Sequence, residues 1–156
     1  MDQRDLEAVE ERLTSILLGW GAVSTVLGSA LWVAGWGSER RELLRFGRQT
    51  AFWGATDAAI ALAGARARRR RGTLNDEEAT KQAKRLLVIL GVNAAADVGY
   101  IALGTTVLRR TRTRAEANGG IWRGMGPGDG AAIIVQGAFL LGLDTAFAVH
   151  VTRLQP

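Results

Sequence analysis

Charged and apolar residues are almost completely segregated along this chain. Residues 13–36 form a run of 24 positions with no Asp, Glu, Lys, Arg or His. At the helical rise this run is about 36 Å long, more than a hydrocarbon core of about 30 Å. Residues 86–108 carry a single charge, Asp97, and residues 131–151 are interrupted only by Asp144 and His150; both are long enough to span. Residues 49–65 lie between Arg48 and Arg66. They sit at the short limit for a span, which arginines snorkelling to the headgroups extend. The pattern predicts an all-α protein, a four-transmembrane-helix bundle forming one membrane domain over residues 1–156, with spans at about 13–36, 47–65, 86–108 and 131–151. A soluble four-helix bundle is the competing fold, but a chain this short has too little interior to hide four helices that are apolar nearly all round.

Leu6, Val9 and Leu13 recur at helical spacing among Asp2, Asp5, Glu7, Glu10 and Glu11, which predicts a short N-terminal interfacial helix running into the first span. The acidic residues and the length of the apolar run behind them exclude a cleaved signal peptide. Lys and Arg outnumber Asp and Glu by 20 to 15. They flank the predicted helix ends without interleaved aromatics, so anionic membrane lipids rather than nucleic acid are the expected partners. The cluster Arg66, Arg68, Arg69, Arg70 and Arg71 favours a multi-pass protein of the cell membrane with cytoplasmic termini. With no Cys and one His, disulfides, thiolate chemistry and a transition-metal site are not expected, and no cofactor is implied. The glycine-rich segment 118–130 lacks a G-K-[ST] sequence and a preceding strand, so it reads as a flexible loop rather than a phosphate cradle.

Against this apolar background three isolated acids stand out: Asp57, Asp97 and Asp144. Each costs about 2.5–3.5 kcal/mol at the centre of a span on insertion scales, and no Lys or Arg accompanies them at that depth. Counting along each run puts Asp57 and Asp97 near the midplane. Asp144 and Asn93 lie about 4.5 and about 6 Å from that plane, on the side of the termini. Asn93, Asp97, Tyr100 and Gly104 share one stripe of their helix. Gln136, Gln49 and Arg48 lie progressively nearer the opposite surface, and Trp53, like Trp20 and Trp32, suits either the wall of an apolar cavity or a lipid-facing or core position. The sequence therefore predicts a polar site between the second, third and fourth helices, closed on one side by the first. Gly91, Ala95 and Gly99, and likewise Ala138, Gly142 and Ala146, form small-residue series that predict close helix packing or a homodimer.

The segments NAAADVGYIALG and RGMGPGDGAAIIVQGAFLLGLD resemble an uncharacterised family of small bacterial four-helix membrane proteins. In that family one span reads N-x-x-x-D-x-x-Y, and the last has a Gly-rich approach to Q-G-x-F-L and an Asp. Asn93, Asp97, Tyr100, Gln136, Gly137, Phe139, Leu140 and Asp144 fill those places, and the similarity covers roughly residues 46–148. The resemblance implies the membrane topology and no particular activity.

Buried carboxyls in a low-dielectric layer favour sharing a proton, which suits acid–base chemistry on a lipophilic small molecule: hydrolysis, isomerisation or cyclisation, with Asp57, Asp97 and Asp144 as catalytic groups. Asn93, Tyr100, Gln136, Gln49, Trp53 and Arg48 are the candidate substrate-binding residues, Arg48 by turning inward to hold one Asp ionised. The same acids suit a proton- or cation-coupled transporter or channel. A structural or accessory protein held together by interhelical hydrogen bonds is the third possibility.

Overall fold

The computed structural model describes residues 1–36, 39–112 and 124–155. They form four helices: α1 (Gln3–Trp36), α2 (Arg41–Arg71), α3 (Asp76–Arg112) and α4 (Pro127–Leu154). Residues 118–123 of the glycine-rich loop lie outside the described residues; its remainder supplies a turn at Gly124 and the first residues of α4.

Local chemistry sets the helix ends. α2 stops at Gly72, whose φ of 75° is left-handed backbone that glycine adopts without a Cβ penalty. Three residues later Asn75 and Glu78 form a reciprocal capping box: Glu78 N–H donates to Asn75 Oδ1 at 2.9 Å, and Asn75 N–H donates to Glu78 Oε2 at 3.0 Å. This satisfies two amides that have no partner within the first turn of α3. α4 opens with Pro127 at its first position, and Asp129 Oδ2 accepts the N–H of Gly126 at 2.9 Å.

α1 packs along α2 and α3 along α4 as two antiparallel hairpins, joined through α2 and α4. The first hairpin is built on glycines seven residues apart, Gly21, Gly28 and Gly35 on α1 and Gly47 and Gly54 on α2. A Cβ on Gly21 would lie 2.6 Å from Ala58 N, and one on Gly35 would lie 2.6 Å from Leu44 N. The backbones touch there, an approach only glycine permits, and the seven-residue period keeps these residues on one seam. The second hairpin follows the same logic: a Cβ on Gly104 would sit 2.6 Å from Gly130 O. A Cβ on Gly128 would overlap the backbone of Glu42, which closes α2 on α4. The small-residue series Gly91–Ala95–Gly99 and Ala138–Gly142–Ala146 do not pack helices within the chain but lie on its exposed outer surface. Nothing lies within 4 Å of a Cβ built on Gly91, Gly99 or Gly142.

The bundle is thus pinned where α4 begins and spread where the chain termini lie. α2 and α3, consecutive in sequence, make almost no contact along their lengths. The N-terminal turns of α1 occupy the spread end. Leu6 and Val9 are buried with Ala79, Ala83, Phe147 and Val151, and Gln3 Oε1 accepts the Leu74 N–H at 3.0 Å. This corrects the predicted interfacial helix: the segment is a continuous part of α1, and its apolar face is core.

α1, α3 and α4 are long and apolar enough to cross a membrane. α2 is not among them: residues 49–65 lie between Arg48 and Arg66 and include Gln49 and Asp57, which keeps the mean hydropathy of any span-length stretch low; Thr50 and Asp57 point inward. The outer surface is apolar on every helix, with Val26 67%, Val33 71%, Phe52 65%, Val92 63% and Val149 45% exposed, whereas Asp57, Asp97, Asp129, Gln136 and Asp144 are buried. A soluble protein arranges these classes the other way round. The chain is an all-helical bundle compatible with a multi-pass membrane protein.

Candidate functional site

The three isolated acids occupy seam positions of their helices. Asp57 lies one seven-residue step beyond Thr50, Asp97 lies between Leu90 and Gly104, and Asp144 lies between Gly137 and Val151, all of them buried. The packing that places small or apolar residues at these steps therefore directs each carboxyl inward. Asp57 and Asp97 are 3% exposed and Asp144 is 6% exposed.

All three line one cavity of about 170 Å³ between α2 and α3, with Asn93, Tyr100 and Trp53 on its walls. Leu17 of α1 and Leu140 of α4 close it. Asn93 and Asp144 border it together. Trp53 and Tyr100 meet edge to face, with ring centroids 5.0 Å apart, and narrow the cavity toward the pinned end. Oδ2 of Asp57, Oδ2 of Asp97 and Nε1 of Trp53 are buried without a hydrogen-bond partner among the described residues. Buried polar atoms are nearly always satisfied, so three orphans around one small cavity single it out as the candidate site. Among the described residues no three acidic or His side chains are close enough to share a metal ion; the carboxyls face a common space without converging on one point.

Gln136, Gln49 and Arg48 are not among the residues lining this cavity. Gln136 is buried, and its Oε1 accepts the indole N–H of Trp20 at 2.6 Å; the Trp20 ring stacks on Phe139 at 3.8 Å. Arg48 does not turn toward the three acids. Its Nη2 donates to Asp129 Oδ1 at 3.1 Å, because Asp129 at the start of α4 is nearer than any acid of the cavity. Asp129 is 1% exposed and also lies 3.6 Å from Arg45 Nη1. It fastens α2 to α4 while capping α4. Sequence reasoning missed this role by reading residues 118–130 as loop; Pro127 followed two residues later by an acid was the available sign.

A second cavity, about 580 Å³, shares Leu17, Ile60, Asn93 and Asp144 with the first and runs toward the spread end. Its walls include Leu13, Leu86, Ile89 and Leu90, and its far end is bordered by Glu10, Arg68, Arg71 and Gln82. Arg71 holds Glu10 through two hydrogen bonds, 2.8 and 2.6 Å. That hydrogen bonding raises the Arg71 pKa above its ordinary value, against the opposing effect of burial. Ile60, Gly64 and Ala67 on α2 and Ile89 and Asn93 on α3 are exposed, so the combined groove opens sideways, between α2 and α3.

Fold and site define a class: an all-helical bundle with three membrane-length helices and an acid-floored groove that opens on its apolar flank. The chain belongs to the DUF6992 family, a family of unknown function, which it matches over residues 16–145. No curated protein and no solved structure matches it.

Proposed function

We propose that this chain is a multi-pass integral membrane protein whose four helices all span the bilayer, and that it performs acid–base chemistry on a lipophilic molecule held between α2 and α3. The observation that carries this reading is the pair of orphaned carboxyl oxygens, on Asp57 and Asp97, in an apolar cavity that Asp144 also lines. Four spans are supported by the apolar outer face of α2, where Phe52, Ile60 and Leu62 are more than half exposed. The glycine contacts that bind α2 along α1 support it further. The arginine cluster after α2 supports cytoplasmic termini.

A carboxyl in its acid form donates a proton to one substrate atom while a neighbouring carboxylate takes a proton from another. The number of protons on the pair is unchanged after the turnover. Isomerisation of a double bond needs nothing more, and hydrolysis adds one water. Asn93 and Tyr100 orient the reacting group by hydrogen bonds, and Trp53 covers it with an apolar face. The sideways opening supports capture of a molecule dissolved in the membrane. Transport is disfavoured by the closure beyond Trp53 and Tyr100, where α1 meets α2, α2 meets α4 and α3 meets α4 at backbone contact.

The test compares wild type with Asp97→Asn and Asp144→Asn in two assays: conversion of candidate lipids in detergent, and proton or cation flux in liposomes. Conversion by the wild type that falls at least a hundredfold in either variant, with the fold intact, is the expected result. Flux that both substitutions abolish, without any conversion, would replace catalysis by transport.

A further inference from the structure

The larger cavity has a polarity gradient that the acid–base reading leaves unused. Its walls are Leu13, Leu17, Ile60, Leu86, Ile89 and Leu90, its inner end is Asn93 and Asp144, and its outer end is polar and cationic. At that outer end Arg71 is neutralised by Glu10, with Nη2 2.6 Å from Oε2. Arg68 is different. Its Nη1 donates to the Thr14 hydroxyl at 3.1 Å, and among the described residues no carboxylate is placed within ion-pair distance of it. A guanidinium at the rim of an apolar groove, half-buried and held by one neutral partner, retains donors for an anionic group of matching geometry.

Building on the proposed function, we infer that the groove holds a single-chain lipid with an anionic head, its carboxylate or phosphate on Arg68 and its chain along the leucine and isoleucine walls to Asp57, Asp97 and Asp144. Volume and charge both commit the groove to this occupant. About 580 Å³ is within the usual range for a site enclosing one small ligand. Arg66, Arg69 and Arg70 line a separate recess on the neighbouring face of α2, so within the groove the anion is drawn to Arg68. Register then fixes where the chemistry falls. Arg68 and Asp57 are eleven residues apart on one helix, about 16 Å, so the reacting double bond or oxygen lies along the chain at that distance and the head is left unchanged.

Binding of palmitate, hexadecyl phosphate and hexadecanol to the purified full-length protein, followed by calorimetry in a non-ionic detergent, tests this. Wild type should bind at least one of the two anions about tenfold more tightly than the alcohol, the value of a charged hydrogen bond; the tighter anion identifies the head. Arg68→Gln should abolish that preference and leave hexadecanol binding unchanged. Arg68→Lys should restore part of it, and Arg69→Gln should not alter it. Equal binding of the alcohol and both anions by wild type overturns the inference while leaving the groove a lipid site. So does a preference that survives Arg68→Gln, or one lost equally in Arg69→Gln. Absence of binding by all three also overturns it; if, in addition, a cavity-filling Leu17→Trp leaves lipid conversion unchanged, the groove itself is not the site and the proposed function fails with it. Where a variant does not fold, the wild-type comparison still decides whether the groove prefers an anionic head.

Discussion

Two kinds of buried aspartate coexist in this chain, and their surroundings give them opposite consequences on substitution. Asp129 is surrounded by donors: the Gly126 N–H, Arg48 and Arg45. Replacing it with Ala removes a cap and a helix-to-helix fastening, and should lower stability by about 1–2 kcal/mol, seen as a fall in the thermal midpoint in detergent. Asp97 has an oxygen with no partner, so its burial is a cost that the fold carries. Asp97→Leu should therefore leave the midpoint unchanged or raise it, while removing activity. A purely structural role for Asp97, as a hydrogen-bonding link between helices, requires the opposite: a lowered midpoint. The shared cavity of the three acids was legible in the sequence as a common depth and a common inward face, because depth along an apolar run and position on a seam are both simple functions of residue number. The partner of Arg48 was not legible. It lies 81 residues away, and only the closure of α2 on α4 brings it near.

At the scale of elements, glycine context decides which helix faces meet. Gly21, Gly28, Gly47 and Gly54 face another backbone, whereas Gly91, Gly99 and Gly142 face open space. Gly28→Ala forces α1 and α2 apart and should cost about 1–3 kcal/mol. Gly91→Ala and Gly142→Ala add helix propensity without a clash, and should be neutral or stabilising by up to about 1 kcal/mol. Thermal unfolding of the three variants side by side checks this ordering. A large loss at Gly91 or Gly142 would instead point to a partner on that outer face. The sequence displays both kinds of small-residue series with equal clarity. Spacing alone does not say which face looks inward, and the choice is made by the larger side chains between the glycines. The same limit applies to α2. Arg48 and Arg66 bound its apolar stretch and Asp57 interrupts it, which keeps its hydropathy below that of the other helices, although Phe52, Ile60 and Leu62 make its outward face apolar.

At the scale of the whole molecule, the bundle is a wedge. Backbone contacts pin one end, and the first turns of α1 prop the other open through Leu6 and Val9, leaving a groove between α2 and α3. Leu6→Ala should cost about 2–5 kcal/mol and loosen the spread end, with faster hydrogen exchange at Ala79 and Ala83 than at the pinned end. The central claim is that Asp57, Asp97 and Asp144 serve a single apolar cavity entered from the bilayer. Dicyclohexylcarbodiimide, an apolar carboxyl reagent, tests it directly when applied to the protein in liposomes and read by mass spectrometry of the intact chain and its peptides. We predict one label per chain, distributed over these three residues, because the first adduct fills the space the other two face; a water-soluble carbodiimide should leave all three unmodified. Two or three labels on the same chain, or ready labelling of these residues by the water-soluble reagent, would contradict the account.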